Sequence, residues 1–313
     1  MSKEEQINDL QEILREDSEN YRARRELALL LIDCGFPKEA AQHINYLLTK
    51  FPDDENLYYN LGIACEKQKQ FQQASAAYVK AINLNENNID AVYNLGLVYF
   101  ELKEYPKSID CFNKVLEYDN QDSNSYFNLG LSYLKSGDSI KAFENFQNTI
   151  DLNNEDIYAH FYMGNILFEN GDLNFAKDEF NKVIELSPDY SWAYYNLACI
   201  AYQEGNYEEA ESYLDKTIEL NPKDENAYIN YAKLLSKQNL YDDAKEIIEK
   251  ALENCANIGQ LNYYGAKISQ MAENYEDYEK YLNSAIANRD TLFKDLHEVM
   301  AELEAFKENF SAQ

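Results

Sequence analysis

Along this chain, apolar residues recur at three- and four-residue intervals in short stretches, and the stretches themselves recur every 34 residues. The run "YNLG" occupies 59–62 and 93–96, with "FNLG" at 127–130, "FYMG" at 161–164 and "YNLA" at 195–198. A 34-residue frame set at Tyr21 gives consecutive units starting at 21, 55, 89, 123, 157, 191, 225 and 259, with no insertion or deletion. The eighth place of the frame is always small: Ala28, Gly62, Gly96, Gly130, Gly164, Ala198, Ala232, Ala266. The twentieth is Ala40, Ala74, Ser108, Ala142, Ala176, Ala210 and Ala244, broken only by Tyr278. Eight of the ten glycines fall at the eighth and fifteenth places, so the period is a property of the chain and not of composition.

Each unit reads as a helix, a tight turn and a second helix. Residues at the fourth, seventh and eleventh places, such as Tyr126, Leu129 and Tyr133, share one face of a helix with 3.6 residues per turn. The small eighth residue admits a partner helix at close range. Glycine at the fifteenth place permits the turn, and Pro106 just beyond it suits the start of a new helix, where its missing N–H costs nothing. The second helix presents Ala142, Phe146 and Thr149 inward. One such hairpin leaves too much apolar surface in water, whereas stacked hairpins share a continuous core. The expected organisation is therefore all-α: a capping helix in 1–20, eight repeats over 21–292, and a capping helix and tail in 293–313. Ile7, Leu10, Ile13 and Leu14 would form the buried stripe of the first cap, and Leu296, Val299, Met300 and Leu303 that of the last. Leu292, Leu296, Val299, Leu303, Phe306 and Phe310 also read as a heptad seam suited to dimerisation, which the cap reading outweighs. The weakest packing is expected in the last repeat, at Gly265, Ser269 and Tyr278.

Charge narrows the partners. With 56 acidic against 28 basic residues, the net charge of −28 repels phosphate backbones and anionic lipid, which disfavours nucleic acid and membrane surfaces and favours neutral or basic protein partners. The N-terminal "MSKEEQINDLQEIL" carries no signal-like apolar core, and no run of eighteen apolar residues occurs, so a cytoplasmic location is expected. Cys34, Cys65, Cys111, Cys199 and Cys255 are far apart and read as reduced, mostly buried small hydrophobes.

The small–small–aromatic pattern on a 34-residue helix–turn–helix period resembles the tetratricopeptide repeat, with terminal prolines at Pro188 and Pro222 as that family prefers. The resemblance implies a right-handed superhelical α-solenoid whose first helices line a concave face. It implies that the sixth place points into the groove: Glu26, Asn60, Asn94, Asn128, Tyr162, Asn196, Asn230, Tyr264. A row of asparagines offers donors and acceptors that match a peptide main chain, and resembles the ladder in the repeat region of O-linked N-acetylglucosamine transferases, whose catalytic domain has no counterpart here. The alternative is that the same asparagines tie neighbouring helices together. The fifth place adds an aromatic strip, Tyr59, Tyr93, Phe127, Phe161 and Tyr195, interrupted by Arg25 and Ile229, and the twelfth adds Phe100, Leu134, Phe168 and Tyr202. Family members that clamp acidic chaperone tails carry a Lys–Asn, Asn, Lys/Arg series on successive first helices. Here Arg25 is followed by Leu29, and the third unit offers Asp90 and Asn94, so acidic chaperone C-terminal tails are disfavoured.

No phosphate-binding, dinucleotide, zinc-protease or nucleophile-elbow motif occurs, and no cofactor or metal is implied. His43, His160 and His297 are far apart in sequence, and His160 sits at a core-type place. Carboxylate pairs such as Asp53-Asp54 and Asp242-Asp243 fall where acids cap helices. The expectation is a non-catalytic scaffold that holds an extended or helical protein segment, with self-association as the alternative.

Overall fold

A computed structural model describes residues 2–311, with side chains as far as residue 308. Among the described residues every regular element is helical, and the chain divides into two compact units, Met1–Ala159 and His160–Gln313. The first unit holds α1 (Lys3–Glu16) and the pairs α2 (Tyr21–Asp33) with α3 (Pro37–Leu48), α4 (Glu55–Lys67) with α5 (Phe71–Leu84), α6 (Ile89–Glu101) with α7 (Tyr105–Tyr118), and α8 (Ser123–Ser136) with α9 (Ser139–Leu152). Helix α10 (Ile157–Asn170) begins in the first unit and continues in the second, where it pairs in sequence with α11 (Leu173–Leu186). The second unit continues with α12 (Ser191–Glu204) and α13 (Tyr207–Leu220), α14 (Glu225–Lys237) and α15 (Tyr241–Asn254), and α16 (Ile258–Met271) and α17 (Tyr275–Ala287). A 3-10 turn, Arg289–Thr291, then leads to α18 (Leu296–Ser311). The first helices start on the sequence frame, α16 alone beginning one residue early.

Local chemistry fixes these boundaries. Asn20, Asp54, Asn88, Asp122 and Asp224 each stand just before a first helix and accept its free N–H groups, a cap that contributes about 1 kcal/mol. At the fifteenth place the backbone is left-handed in every pair. Gly35, Gly137, Gly171 and Gly205 have φ of +82°, +90°, +85° and +79°, and Lys69, Lys103, Asn239 and Glu273 have φ of +58°, +59°, +63° and +55°. The same hydrogen bonds close both kinds of turn: Asp138 N–H donates to the Tyr133 carbonyl at 2.9 Å, and Glu104 N–H to that of Tyr99 at 2.8 Å. The loop geometry is therefore set by the hairpin, and the glycine relieves a strain that the lysines carry.

Inside each pair the eighth place faces the twenty-fourth. A Cβ on Gly62, Gly96, Gly130 or Gly164 would lie 2.4, 2.9, 2.8 or 2.7 Å from the ring of Tyr78, Phe112, Phe146 or Phe180, and those four rings are fully buried. Where the eighth place is alanine, at Ala28, Ala198, Ala232 and Ala266, the twenty-fourth is Ile44, Leu214, Ile248 or Leu282. The two sites trade volume, as a core packed to organic-crystal density requires.

Several expectations are corrected at the ends. In α1, Ile7 is buried and Leu10 and Leu14 pack against the Leu27 cluster, but Ile13 is exposed. One residue short of the seven-residue spacing turns a side chain about 100° off the stripe. For the same reason Met300 is exposed while its neighbour Val299 is buried with Leu303 against Tyr278, Tyr281 and Leu282. The last repeat is well packed, contrary to expectation: Gly265 lies under the Tyr281 ring, Ser269 is buried and donates to the Gly265 carbonyl at 2.9 Å, and Tyr278 is buried with its ring 5.1 Å from that of Phe306. The seam residues Val299 and Leu303 are thus used within the chain; the side chain of Phe310 lies outside the described residues.

Candidate protein-interaction face

The sixth-place asparagines are all half-buried, and most are pinned by the preceding repeat. Asn94 donates to the Tyr59 hydroxyl at 3.4 Å, Asn128 to that of Tyr93 at 3.0 Å, and Asn230 to that of Tyr195 at 2.8 Å. The rung therefore joins the fifth place of one repeat to the sixth of the next. Phe161 has no hydroxyl to offer, and Asn196 turns to the Asn165 side-chain oxygen at 2.8 Å. Asn60 follows Arg25, whose guanidinium is drawn 2.7 Å from Asp54, and Asn60 instead lines a hollow with Leu29 and Leu57. Burial, then the nearby Asp122 charge, raises the Tyr93 phenol, and burial, then the neighbouring Cys199, pushes Tyr195 up to about 12. Both hydroxyls are protonated at neutral pH and stand as fixed acceptors. The helix-tying role of the asparagines is thus present in the structure: Asn128 also donates to the Asn124 carbonyl at 2.9 Å and Asn230 lies 4.0 Å from the Cys199 sulfur, which leaves the side-chain carbonyl as the group each rung does not use.

The aromatic strip is half core. Tyr59, Tyr93, Phe127 and Phe161 lie against the twenty-fourth-place rings Tyr78, Phe112, Phe146 and Phe180 at centroid distances of 6.0, 5.6, 5.7 and 6.0 Å. The twelfth-place Phe100, Leu134, Phe168 and Tyr202 are half-buried, with Phe100 against Tyr105 and Tyr202 against Tyr207. Two exposed rings beside the strip were not singled out in the sequence: Tyr158 is 57% exposed and Trp192 47%, at the second place of their units. They reach toward Phe127 and Tyr195, at 6.5 and 6.3 Å. The signal that finds them is spacing, since the second place precedes the sixth by one helical turn.

Hollows on this face coincide with the alanine-type repeats. One of about 280 Å³ is lined by Ala28 and Ile44, one of about 320 Å³ by Ala198 and Leu214 with Phe168, Tyr202 and Asn230, and one of about 420 Å³ by Ala232 with Tyr202, Tyr264 and Ile268. Where a ring fills the twenty-fourth place, it lies against the eighth-place glycine. Lys233, Lys237 and Lys267 border the last two hollows, cations the sequence reading did not place.

The remaining titratable groups are structural. His160 is buried with Nδ1 2.6 Å from Glu179. Of the cysteines only Cys65 is fully buried, which corrects the expectation of mostly buried thiols; all five are unpaired. Burial, with Asp110 beside it, pushes Cys111 up to about 12, so its thiol stays protonated. Among the described residues no helix is long and apolar enough to cross a membrane.

Tetratricopeptide repeat profiles match residues 67–103, 96–137, 123–156, 156–223 and 201–257, together more than half of the chain. The chain belongs to the tetratricopeptide repeat family. Solved tetratricopeptide repeat structures agree. YrrB, described as a TPR protein with an unusual peptide-binding site, is 27% identical and covers 60% of this chain and 96% of its own, with a TM-score of 0.51. A MamA fragment from Desulfovibrio magneticus RS-1 is 26% identical, covering 55% of this chain and 97% of its own at a TM-score of 0.53. The C-terminal part of a TPR repeat-containing protein from Cytophaga hutchinsonii, at 16% identity, covers 86% and 99% with a TM-score of 0.57 and shares the fold. No curated protein matches the chain. Tetratricopeptide repeats are in general non-catalytic modules that bind protein or peptide, and the repeats of this chain make it a protein-interaction scaffold.

Proposed function

We propose that the first helices of this tetratricopeptide repeat protein hold an extended or helical segment of another protein, with α1 as the cap of the first unit and α18 as that of the second. Asn60, Asn94, Asn128, Asn196 and Asn230 supply amide contacts to the segment's main chain. The outer edges of Tyr59, Tyr93, Phe127, Phe161 and Tyr195 supply apolar contact. The observation that carries this reading is the rung itself: a half-buried amide, held in one orientation by a tyrosine hydroxyl, keeps its carbonyl for a ligand's N–H and loses little rotamer freedom when one binds. Backbone hydrogen bonds of about 0.5–1.5 kcal/mol each, with one or two apolar anchors, give affinity in the micromolar range. The acidic surface suits a partner that is neutral or basic over most of its length, and the unpaired thiols suit the reducing cytoplasm.

Paired variants separate ligand contact from helix tying. Tyr59→Phe/Tyr93→Phe/Tyr195→Phe removes the ties and keeps the amides, whereas Asn94→Ala/Asn128→Ala/Asn230→Ala removes both. Affinity capture from native extract, with circular dichroism to show both variants folded, is expected to retain the partner on the tyrosine variant and lose it on the asparagine variant. Retention on both would mean that the asparagines serve packing alone.

A further inference from the structure

The chain carries twice as many acids as bases, and several helix lysines pair with a carboxylate one turn away: Lys141 with Asp138, Lys182 with Glu185, Lys216 with Glu219, Lys250 with Glu246. Helix α14 is arranged differently. It places Lys233 and Lys237 four residues apart on one face, where like charges repel, with no acid one turn away on the same helix. Both side chains are exposed, and among the described residues neither has a carboxylate within ion-pair distance. Lys267, which also borders the second hollow, is already answered by Glu302 at 2.8 Å.

Aromatic side chains hold both ammonium groups in place. Lys233 Nζ lies 4.9 Å from the Tyr264 ring centre, and Lys237 Nζ lies 4.7 Å from that of Tyr202 and 5.2 Å from that of Tyr207. Lys233 stands in the wall of both the 320 and the 420 Å³ hollows, and Lys237 in that of the larger. Two positioned cations thus rim two adjoining apolar hollows in a molecule that is otherwise strongly anionic.

We propose that this part of the face binds a partner segment in which side-chain carboxylates adjoin a bulky apolar residue: the carboxylates meet Lys233 and Lys237, and the apolar side chain enters the hollow between Phe168, Tyr202 and Leu214. The proposal rests on the first-helix face being the binding face, and adds an acidic determinant to a partner otherwise neutral or basic. The carboxylates are internal side chains, so no free C-terminus is needed. Local charge complementarity sets the register of the segment, and the surrounding acidic surface rejects carboxylates elsewhere.

The test uses the full chain and three labelled peptides, each acetylated and amidated, with a Glu-Glu-Leu-Phe, Gln-Gln-Leu-Phe or Lys-Lys-Leu-Phe core, titrated by fluorescence anisotropy at low and high salt. The acidic peptide is expected to bind about tenfold tighter than the neutral one at low salt, with the advantage shrinking as salt rises. Lys233→Gln/Lys237→Gln is expected to abolish that advantage, and Lys67→Gln/Lys135→Gln, which changes net charge equally on α4 and α8, to leave it intact. Equal binding of the acidic and neutral peptides, persistence of the advantage in Lys233→Gln/Lys237→Gln, or no binding of the acidic peptide at millimolar concentration would each overturn the proposal. If the peptides bind alike and the Asn94→Ala/Asn128→Ala/Asn230→Ala variant loses all of them, the binding face stands and only the acidic determinant falls.

Discussion

The repeats that start at 55, 89, 123 and 157 solve their interior differently from those that start at 21, 191, 225 and 259. The first set pairs glycine with a buried ring, and the fifth-place aromatic stacks on that ring. The second pairs alanine with Ile44, Leu214, Ile248 or Leu282, and three of its four members border hollows on the first-helix face. Both solutions satisfy close packing inside the hairpin. They differ in what is left at the surface: a ring fills the space behind the strip, whereas an aliphatic side chain leaves room for a partner's side chain. A regular repeat can thus carry an irregular binding surface without breaking its frame.

The largest effect that would break this contrast is truncation of a buried ring. Phe146→Ala leaves a cavity over Gly130 and is expected to cost about 3–5 kcal/mol in chemical denaturation. A loss under 1 kcal/mol would show the ring is not the fulcrum of its hairpin. Next is Gly130→Ala, whose Cβ would lie 2.8 Å from the Phe146 ring, expected to cost about 1–3 kcal/mol despite better helix propensity. Adding Phe146→Leu should then recover stability relative to Gly130→Ala alone, converting one type of repeat into the other; additive losses would contradict the volume trade. Relief of left-handed strain sharpens the picture at the turns. Lys103→Gly is expected to raise stability by about 1 kcal/mol and Gly137→Ala to lower it by a similar amount, measured as shifts in thermal midpoint. The smallest effect belongs to the rungs. Tyr93→Phe should cost about 0.5–1.5 kcal/mol and Asn128→Ala more, because Asn128 also donates to the Asn124 carbonyl, and the double variant should cost little more than Asn128→Ala alone, since the bond to Tyr93 is shared.

Much of this was legible in the 34-residue period. Helix starts, small places and turns are dictated by local steric rules that one sequence displays repeatedly, which is why the first helices begin on the frame or within one residue of it. The glycine–ring exchange was also in the sequence, at the eighth and twenty-fourth places, and needed only to be read as a pair. The partners of the asparagines were harder, since a bond between residues 35 apart joins different places of different repeats and no single-repeat pattern contains it. In retrospect the tyrosine at the fifth place announces it: each of Tyr59, Tyr93 and Tyr195 is followed 35 residues later by asparagine, and Ile229 by Tyr264. Exposure of Ile13 and Met300, and the hollows bordered by Lys233 and Lys237, depend on three-dimensional packing at the margins of the periodic stripe, where a one-residue difference of phase decides between core and solvent.

The most direct test of the contrast is to install one solution in place of the other and measure binding. Ala198→Gly/Leu214→Phe places a ring where Leu214 now borders the 320 Å³ hollow, the arrangement that Gly130 and Phe146 already support. Titration of the capped Glu-Glu-Leu-Phe peptide into this variant, alongside a thermal melt showing that it remains folded, is expected to give affinity at least about tenfold weaker than wild type. Undiminished affinity in the folded variant would contradict the account, because the space left by the aliphatic side chain would then play no part in seating a partner.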